Sequence, residues 1–186
     1  MGKLTHTLLE LAKTSGSKGG IEIKPVRIDE IILRLPSEIA KINNAYSVLP
    51  EFEKLPENDA GLLILGNEEL LITAIKNIVL NACKYSENQQ AIISLQADQK
   101  NITISIQNIG SGIPPNEIEN IFQPFYRIDE NRIAGGFGLG LSLAQKIIKL
   151  HRGEITVDSK PGEKTVFVIR FSSAWHLQED LKTAEF

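Results

Sequence analysis

Cysteine, methionine and tryptophan occur once each, and aromatic residues make up only 6% of the 186 residues. A single cysteine, Cys83, cannot close an intramolecular disulfide. The stapling that holds small secreted folds together is therefore excluded, and a reducing, cytoplasmic setting is expected. No run approaches the roughly 20 apolar residues that cross a bilayer, and the opening Met1-Gly2-Lys3-Leu4-Thr5 lacks the apolar stretch of a signal peptide. Positive charge is not in excess either: 20 Lys and Arg stand against 23 Asp and Glu, a net charge of -3. Without a basic surface, nucleic acid is not an expected partner. No Cys/His cluster at metal-ligand spacing occurs. What remains is the composition of a globular domain, 42% hydrophobic and 23% charged, at a length that suits one domain with a tail.

Periodicity supplies the elements. Leu4, Leu8 and Leu11 recur at helical spacing before a linker of Ser15-Gly16-Ser17 and Gly19-Gly20. Residues 21–26 read as a strand, and Asp29 is placed to cap a helix carrying Ile31, Ile32, Leu35, Ile39 and Ile42. Residues 47–65 hold two short strands around a polar turn. Residues 68–85 give the clearest helix, with Leu71, Ile75, Ile78, Val79 and Ala82 on one face. Segments 91–97 and 102–108 alternate as a hairpin with one buried side. A glycine-rich polar stretch follows, then a helix over 139–150 and a second hairpin, 154–158 with 166–171, turning at Ser159-Lys160-Pro161-Gly162. Residues 173–186 form a polar tail. This order predicts a two-layer α+β sandwich, a mixed sheet with helices on one face.

Three sets of polar residues stand out. Asn77, Asn81, Lys84 and Tyr85 fall on one side of the 68–85 helix, opposite its apolar stripe. Asparagine is a poor helix former, and carboxamide oxygens suit a hard cation. Asn108 continues the inward row of Ile102, Ile104 and Ile106, so a polar group is expected at the end of a buried face, where it needs a partner or a bound heterocycle. After Asn108 come Gly110-Ser111-Gly112-Ile113-Pro114. Finally, Gly135-Gly136-Phe137-Gly138-Leu139-Gly140-Leu141 opens a helix, where free backbone N–H groups and the helix dipole suit phosphate. Neither a Walker A loop nor a Rossmann fingerprint is present.

In this order the segments resemble the ATP-binding catalytic domain of two-component sensor histidine kinases, in the GHKL superfamily of Bergerat fold that includes Hsp90, gyrase and MutL. The resemblance spans residues 21–171. It rests on an N box at 77–85, a G1 box at 108–114, an F box in Phe122-Gln123-Pro124-Phe125-Tyr126-Arg127, and a G2 box at 136–141. It implies that Asn81 ligates Mg²⁺ with Asn77 assisting through water, and that Lys84 and Arg127 neutralise phosphate. Asn77, Lys84 and Arg127 are thus the catalytic candidates. Tyr85, Asn108, Gly110, Gly112, Ile113, Gly136, Gly138, Leu139, Gly140, Leu141 and Thr165 join them around ATP, and residues 123–137 form a lid.

The resemblance further implies transfer of the γ-phosphoryl group of ATP to a histidine, for relay to an aspartate on a response regulator receiver domain. ATPases of the superfamily carry a water-activating glutamate at the position held here by Asn77, and an amide cannot take a proton at neutral pH. His6, His151 and His176 do not fit the acceptor pattern of a histidine followed by an acidic residue. The acceptor is therefore expected on the protein's own dimerisation domain, in a homodimeric parent whose membrane anchoring is left open. On this reading residues 1–16 are the end of a dimerisation helix, or a tag plus linker, 17–172 the catalytic domain and 173–186 the tail. One departure is Asn108 where the family usually has an adenine-binding aspartate, with Ile109 beside it in place of an asparagine. Two alternatives stay open: a regulatory module that holds nucleotide weakly, and a serine kinase of the anti-sigma-factor type.

Overall fold

The computed structural model describes residues 21–128 and 137–174. Their elements are β1 (Lys24–Arg27), α1 (Ile28–Ile42), β2 (Ser47–Phe52), β3 (Leu63–Gly66), α2 (Glu68–Tyr85), β4 (Gln90–Ala97), β5 (Asn101–Ile109), α3 (Gly140–Leu150), β6 (Glu154–Ser159) and β7 (Lys164–Ser172). Five strands form a mixed sheet in the order β2-β4-β5-β7-β6, and β1 pairs with β3 in a separate antiparallel ribbon. Within the described residues, the parallel pair is β2 with β4.

The alternation read in the sequence decides which side of the sheet is covered. Ile93 and Leu95 on β4, Ile102, Ile104 and Ile106 on β5, and Phe167, Ile169 and Phe171 on β7 are buried, while the intervening residues are mostly half-exposed. These side chains share one core with Ile75, Ile78 and Val79 of α2, Leu143 and Ile147 of α3, and Ile31, Ile32, Leu35 and Ile39 of α1. Each such burial contributes roughly 1.5–3 kcal/mol, so the helical layer and the sheet hold each other in place. The two-layer α+β architecture expected from the sequence is the one observed.

Several local expectations are corrected. The first strand is Lys24–Arg27 rather than 21–26. Asp29 does not cap α1, whose N-cap is Arg27 with no capping side chain. Asp29 instead sits in the first turn and accepts from Arg27 Nε at 3.0 Å and Nη2 at 2.8 Å. That guanidinium holds the Asp29 carboxyl below the ordinary carboxylate range, and the charge suits the positive end of the helix dipole. The two strands expected within 47–65 are present and belong to different sheets: β2 lies beside β4 and β3 beside β1. Ser159 belongs to β6 and is buried, with the turn displaced to residues 160–163. The 1–16 helix and the tail from Trp175 onward lie outside the described residues.

His151, unassigned to any role from sequence, joins the ends of two helices. Its Nδ1–H donates to the Ile147 carbonyl at 2.7 Å, and Nε2 accepts the Asn67 N–H at 3.0 Å. Asn67 is the N-cap of α2, its Oδ1 accepting from the Leu70 N–H at 3.1 Å. Burial pushes the His151 imidazole below its ordinary pKa, and a proton on Nε2 would also face another donor. A base with a depressed folded-state pKa stabilises fully above its unfolded value of about 6.5, and that contribution is lost as pH falls through the folded value. Thermal denaturation at about pH 7.5 and about pH 5.5 should therefore show a fall in Tm on acidification. His151→Gln, less stable by about 1 kcal/mol at the higher pH, should show a shallower fall.

Candidate nucleotide site

The helix α2 is two-sided by sequence and by position. Its apolar side enters the core, and Asn77, Asn81, Lys84 and Tyr85 line a cleft of about 860 Å³. The Asn77 carboxamide is oriented by its own helix: Nδ2 donates to the Thr73 carbonyl at 2.9 Å. Oδ1 is thereby turned toward Gly140, where a Cβ would lie 3.0 Å from it. An oxygen is thus presented at the start of α3. One turn further along α2, Asn81 is half-buried in the same wall. Lys84 Nζ lies 4.9 Å from the centroid of the Tyr85 ring, a cation–π distance.

Across the cleft, α3 begins at Gly140 with Leu139 as its N-cap and no side chain capping it. Ser142 Oγ donates back to the Leu139 carbonyl at 2.9 Å and so does not serve as a cap either. No acidic residue occupies the first turn. The leading N–H groups and the dipole are left for an anion. Gly138 precedes them with φ +68°, and a Cβ there would lie 2.7 Å from the Phe125 carbonyl carbon. That proximity lets Phe125 N–H donate to the Gly138 carbonyl at 2.9 Å, which fastens the two flanks of the expected lid. Arg127 lines the cleft from the first flank.

The far end of the cleft is built on the sheet. Asn108 on β5 and Thr165 on β7 are register partners, 5% and 4% exposed, and both face the cleft with Ile113 and Phe167 beside them. Ser159 Oγ accepts the Ile113 N–H at 2.8 Å and shares a hydrogen bond of 2.7 Å with Thr165 Oγ1. Among the described residues, the side chain of Asn108 makes no hydrogen bond within the protein.

The arrangement gives the cleft a polarity. Among the described residues that line it, the charged ones are Lys84 and Arg127, and there is no Asp, Glu or His. Nor do the described residues contain a group of three or more His, Cys, Asp or Glu able to hold a metal ion. A cation here would rest on carboxamide oxygens and on the ligand's own phosphates, the coordination that suits a partly hydrated Mg²⁺.

Most expected residues therefore meet in one place: Gly112, Ile113, Leu139, Gly140, Leu141 and Thr165 join the α2 stripe, Asn108, Arg127 and Gly138. Gly110 is not among the residues that line the cleft. It bridges to Ser86, and a Cβ there would collide with the Tyr85 carbonyl oxygen. Its smallness lets the G1 strand end close on the end of α2. Gly136 lies outside the described residues.

Sequence reasoning missed Asn43 and Tyr46 after α1, Ser159, and Tyr126, whose hydroxyl donates to Glu117 Oε2. That bond raises the Tyr126 pKa. Ser159 was hidden by its assignment to a turn, and nothing local marks Asn43 or Tyr46. Cys83 is buried, its thiol pushed up to about 11 by desolvation.

Gly110→Ala should cost at least about 2 kcal/mol by overpacking. Gly162→Ala, at φ +76° with nothing within 4 Å of the added carbon, should cost about 1 kcal/mol from backbone strain alone. Urea denaturation of the two variants compares them.

Comparison with known proteins accords with this geometry. The family described as "Histidine kinase-, DNA gyrase B-, and HSP90-like ATPase" matches residues 66–174. The sensor-like histidine kinase SenX3 of Mycobacterium tuberculosis is 31% identical over 172 residues, covering 91% of this chain and 41% of its own length. The sensor histidine kinase YkoH of Bacillus subtilis is 37% identical over 176 residues, covering 92% and 37%. The chain thus spans about two fifths of the curated relatives it matches. Among solved structures, the mycobacterial sensor histidine kinase MprB superposes with a TM-score of 0.67 at 25% identity, over 82% of this chain and 98% of that one. Full-length ShkA, solved in complex with AMPPNP, shares the fold with a TM-score of 0.73 at 21% identity, over 92% of this chain and 36% of that one. With fold, cleft and family match in agreement, the chain belongs to the histidine kinase-, DNA gyrase B- and HSP90-like ATPase family, as a catalytic ATP-binding domain of the sensor histidine kinase kind.

Proposed function

We propose that residues 17–172 act as the catalytic domain of a sensor histidine kinase, binding Mg-ATP and passing its γ-phosphoryl group to a histidine on the protein's own dimerisation region. Relay to an aspartate of a response regulator receiver domain follows. The names of the relatives support the reaction class. The nucleotide analogue in the ShkA complex supports the ligand. The observation that carries the reading is the cleft's division into two ends. One has carboxamide oxygens, two cations and an uncapped helix start, and the other has a buried polar pair suited to a flat base.

In this assignment the triphosphate lies between α2 and the start of α3. The α3 N–H groups, Lys84 and Arg127 hold its oxygens, and the base enters between Ile113 and Phe167 to reach Asn108 and Thr165. Asn81, with Asn77, would hold the magnesium ion, which supplies charge neutralisation at the phosphates when bound. Asn77 cannot act as a base, because its nitrogen is committed to the Thr73 carbonyl and its amide has no basicity at neutral pH. With no carboxylate or imidazole lining the cleft among the described residues, water entering it finds no group to activate it. Transfer to an external acceptor is favoured over hydrolysis, and positioning carries most of the catalysis. His151 is not that acceptor, since both its ring nitrogens are engaged within the fold.

Calorimetric titration of the chain with ATP should give saturable binding that depends on Mg²⁺, and Asn81→Ala should weaken it roughly tenfold or more. Absence of heat at millimolar Mg-ATP would count against the assignment. Mixed with a dimerisation domain that carries the acceptor histidine, the wild-type chain should label that histidine from γ-labelled ATP. Alone it should release little phosphate.

A further inference from the structure

Taking the proposed nucleotide site as its basis, we propose that the base end of the cleft accepts purine nucleoside triphosphates bearing a carbonyl at C6 as readily as the 6-amino purine of ATP, with Asn108 as the specificity-determining residue.

The inference rests on an absence of fixed hydrogen-bond polarity at that end. Asn108 is 5% exposed, faces the cleft, and makes no hydrogen bond within the protein among the described residues. A carboxamide carries an acceptor oxygen and a donor nitrogen of nearly the same size. With neither end held by a neighbour, a half-turn about its last torsion exchanges them at little cost. The ligand is left to choose the orientation.

The hydroxyls behind it are equally reversible. Ser159 Oγ takes the Ile113 N–H and shares a hydrogen with Thr165 Oγ1 in which either oxygen can donate. If Ser159 donates, the Thr165 O–H is free to donate onward to a ligand. If Thr165 donates, its remaining lone pair is free to accept. Among the described residues nothing ionised opposes the exchange, because the charged ones that line the cleft stand on other elements, Lys84 in the last turn of α2 and Arg127 in the segment after the F-box turn.

The chemistry of the two base edges then decides the outcome. A 6-amino purine donates from N6 and accepts at N1, which the carboxamide meets with its oxygen and nitrogen respectively. A 6-oxo purine accepts at O6 and donates from N1, which the flipped carboxamide meets equally. Both purines obtain two hydrogen bonds and leave no buried group unpaired. A carboxylate at this position would present acceptors only, matching the amino group and opposing the carbonyl, and a site with fixed polarity rejects the mismatched ligand.

Inosine triphosphate is the direct probe, since it has the ribose and triphosphate of ATP and differs at the C6 edge. Titrated with Mg²⁺ against the full chain, it should bind within about threefold of ATP. Asn108→Asp should move the ratio of the two affinities against inosine triphosphate by about tenfold or more. A wild-type preference for ATP above about tenfold, or an unchanged ratio in Asn108→Asp, would overturn the inference while leaving the ATP site standing. Binding of neither nucleotide to the wild-type chain would remove the site and this inference together. The wild-type ratio decides the matter even if the aspartate variant does not fold.

Discussion

The site depends on one helix serving two media at once. α2 holds Leu71, Ala74, Ile75, Ile78 and Val79 in the core with essentially no exposure, and this fixes its rotation. A rotation that exposed those side chains would forfeit several kcal/mol. Asn77 and Asn81 inherit their direction from that constraint rather than from any contact with ligand. The amide of Asn77 is then set by the Thr73 carbonyl, so its oxygen is oriented before anything binds. Preorganisation of this kind moves ordering costs from binding into folding.

The second helix is placed by comparable means. α3 packs Leu143, Ala144, Ile147 and Ile148 into the same core. At its far end His151 links its last turn to the cap of α2. The amide oxygens on α2 and the uncapped start of α3 are therefore held in mutual register by packing along both helices and by a polar tie at one end. A lone histidine without an acidic neighbour reads in sequence as surface or packing. Its actual partners, a carbonyl four residues back and an N–H on another helix, become visible only when the chain is folded.

How far the sequence discloses this structure follows from the range of the interactions involved. The α2 stripe, the β5 row ending in Asn108 and the glycine-led start of α3 are local patterns, and the fold displays them where periodicity places them. The pairing of β2 with β4 and of β3 with β1 is not local, and the periodicity of a single segment carries no sign of it. Proline and glycine at 161 and 162 drew the expected turn one residue too early, which concealed Ser159 among the loops although it pairs with Thr165 on the neighbouring strand. Gly110 shows the converse. Its motif position suggested contact with ligand, whereas its close approach to the Tyr85 carbonyl makes it a joint between strand and helix.

The bond between Phe125 N–H and the Gly138 carbonyl has a consequence for how the mouth of the cleft operates. It holds the two ends of the intervening stretch, Phe125 and Gly138, together. The entropy of bringing those ends into proximity, which grows only logarithmically with the length enclosed, is borne when the chain folds. A guest arriving at the mouth meets Phe125 and Gly138 already joined.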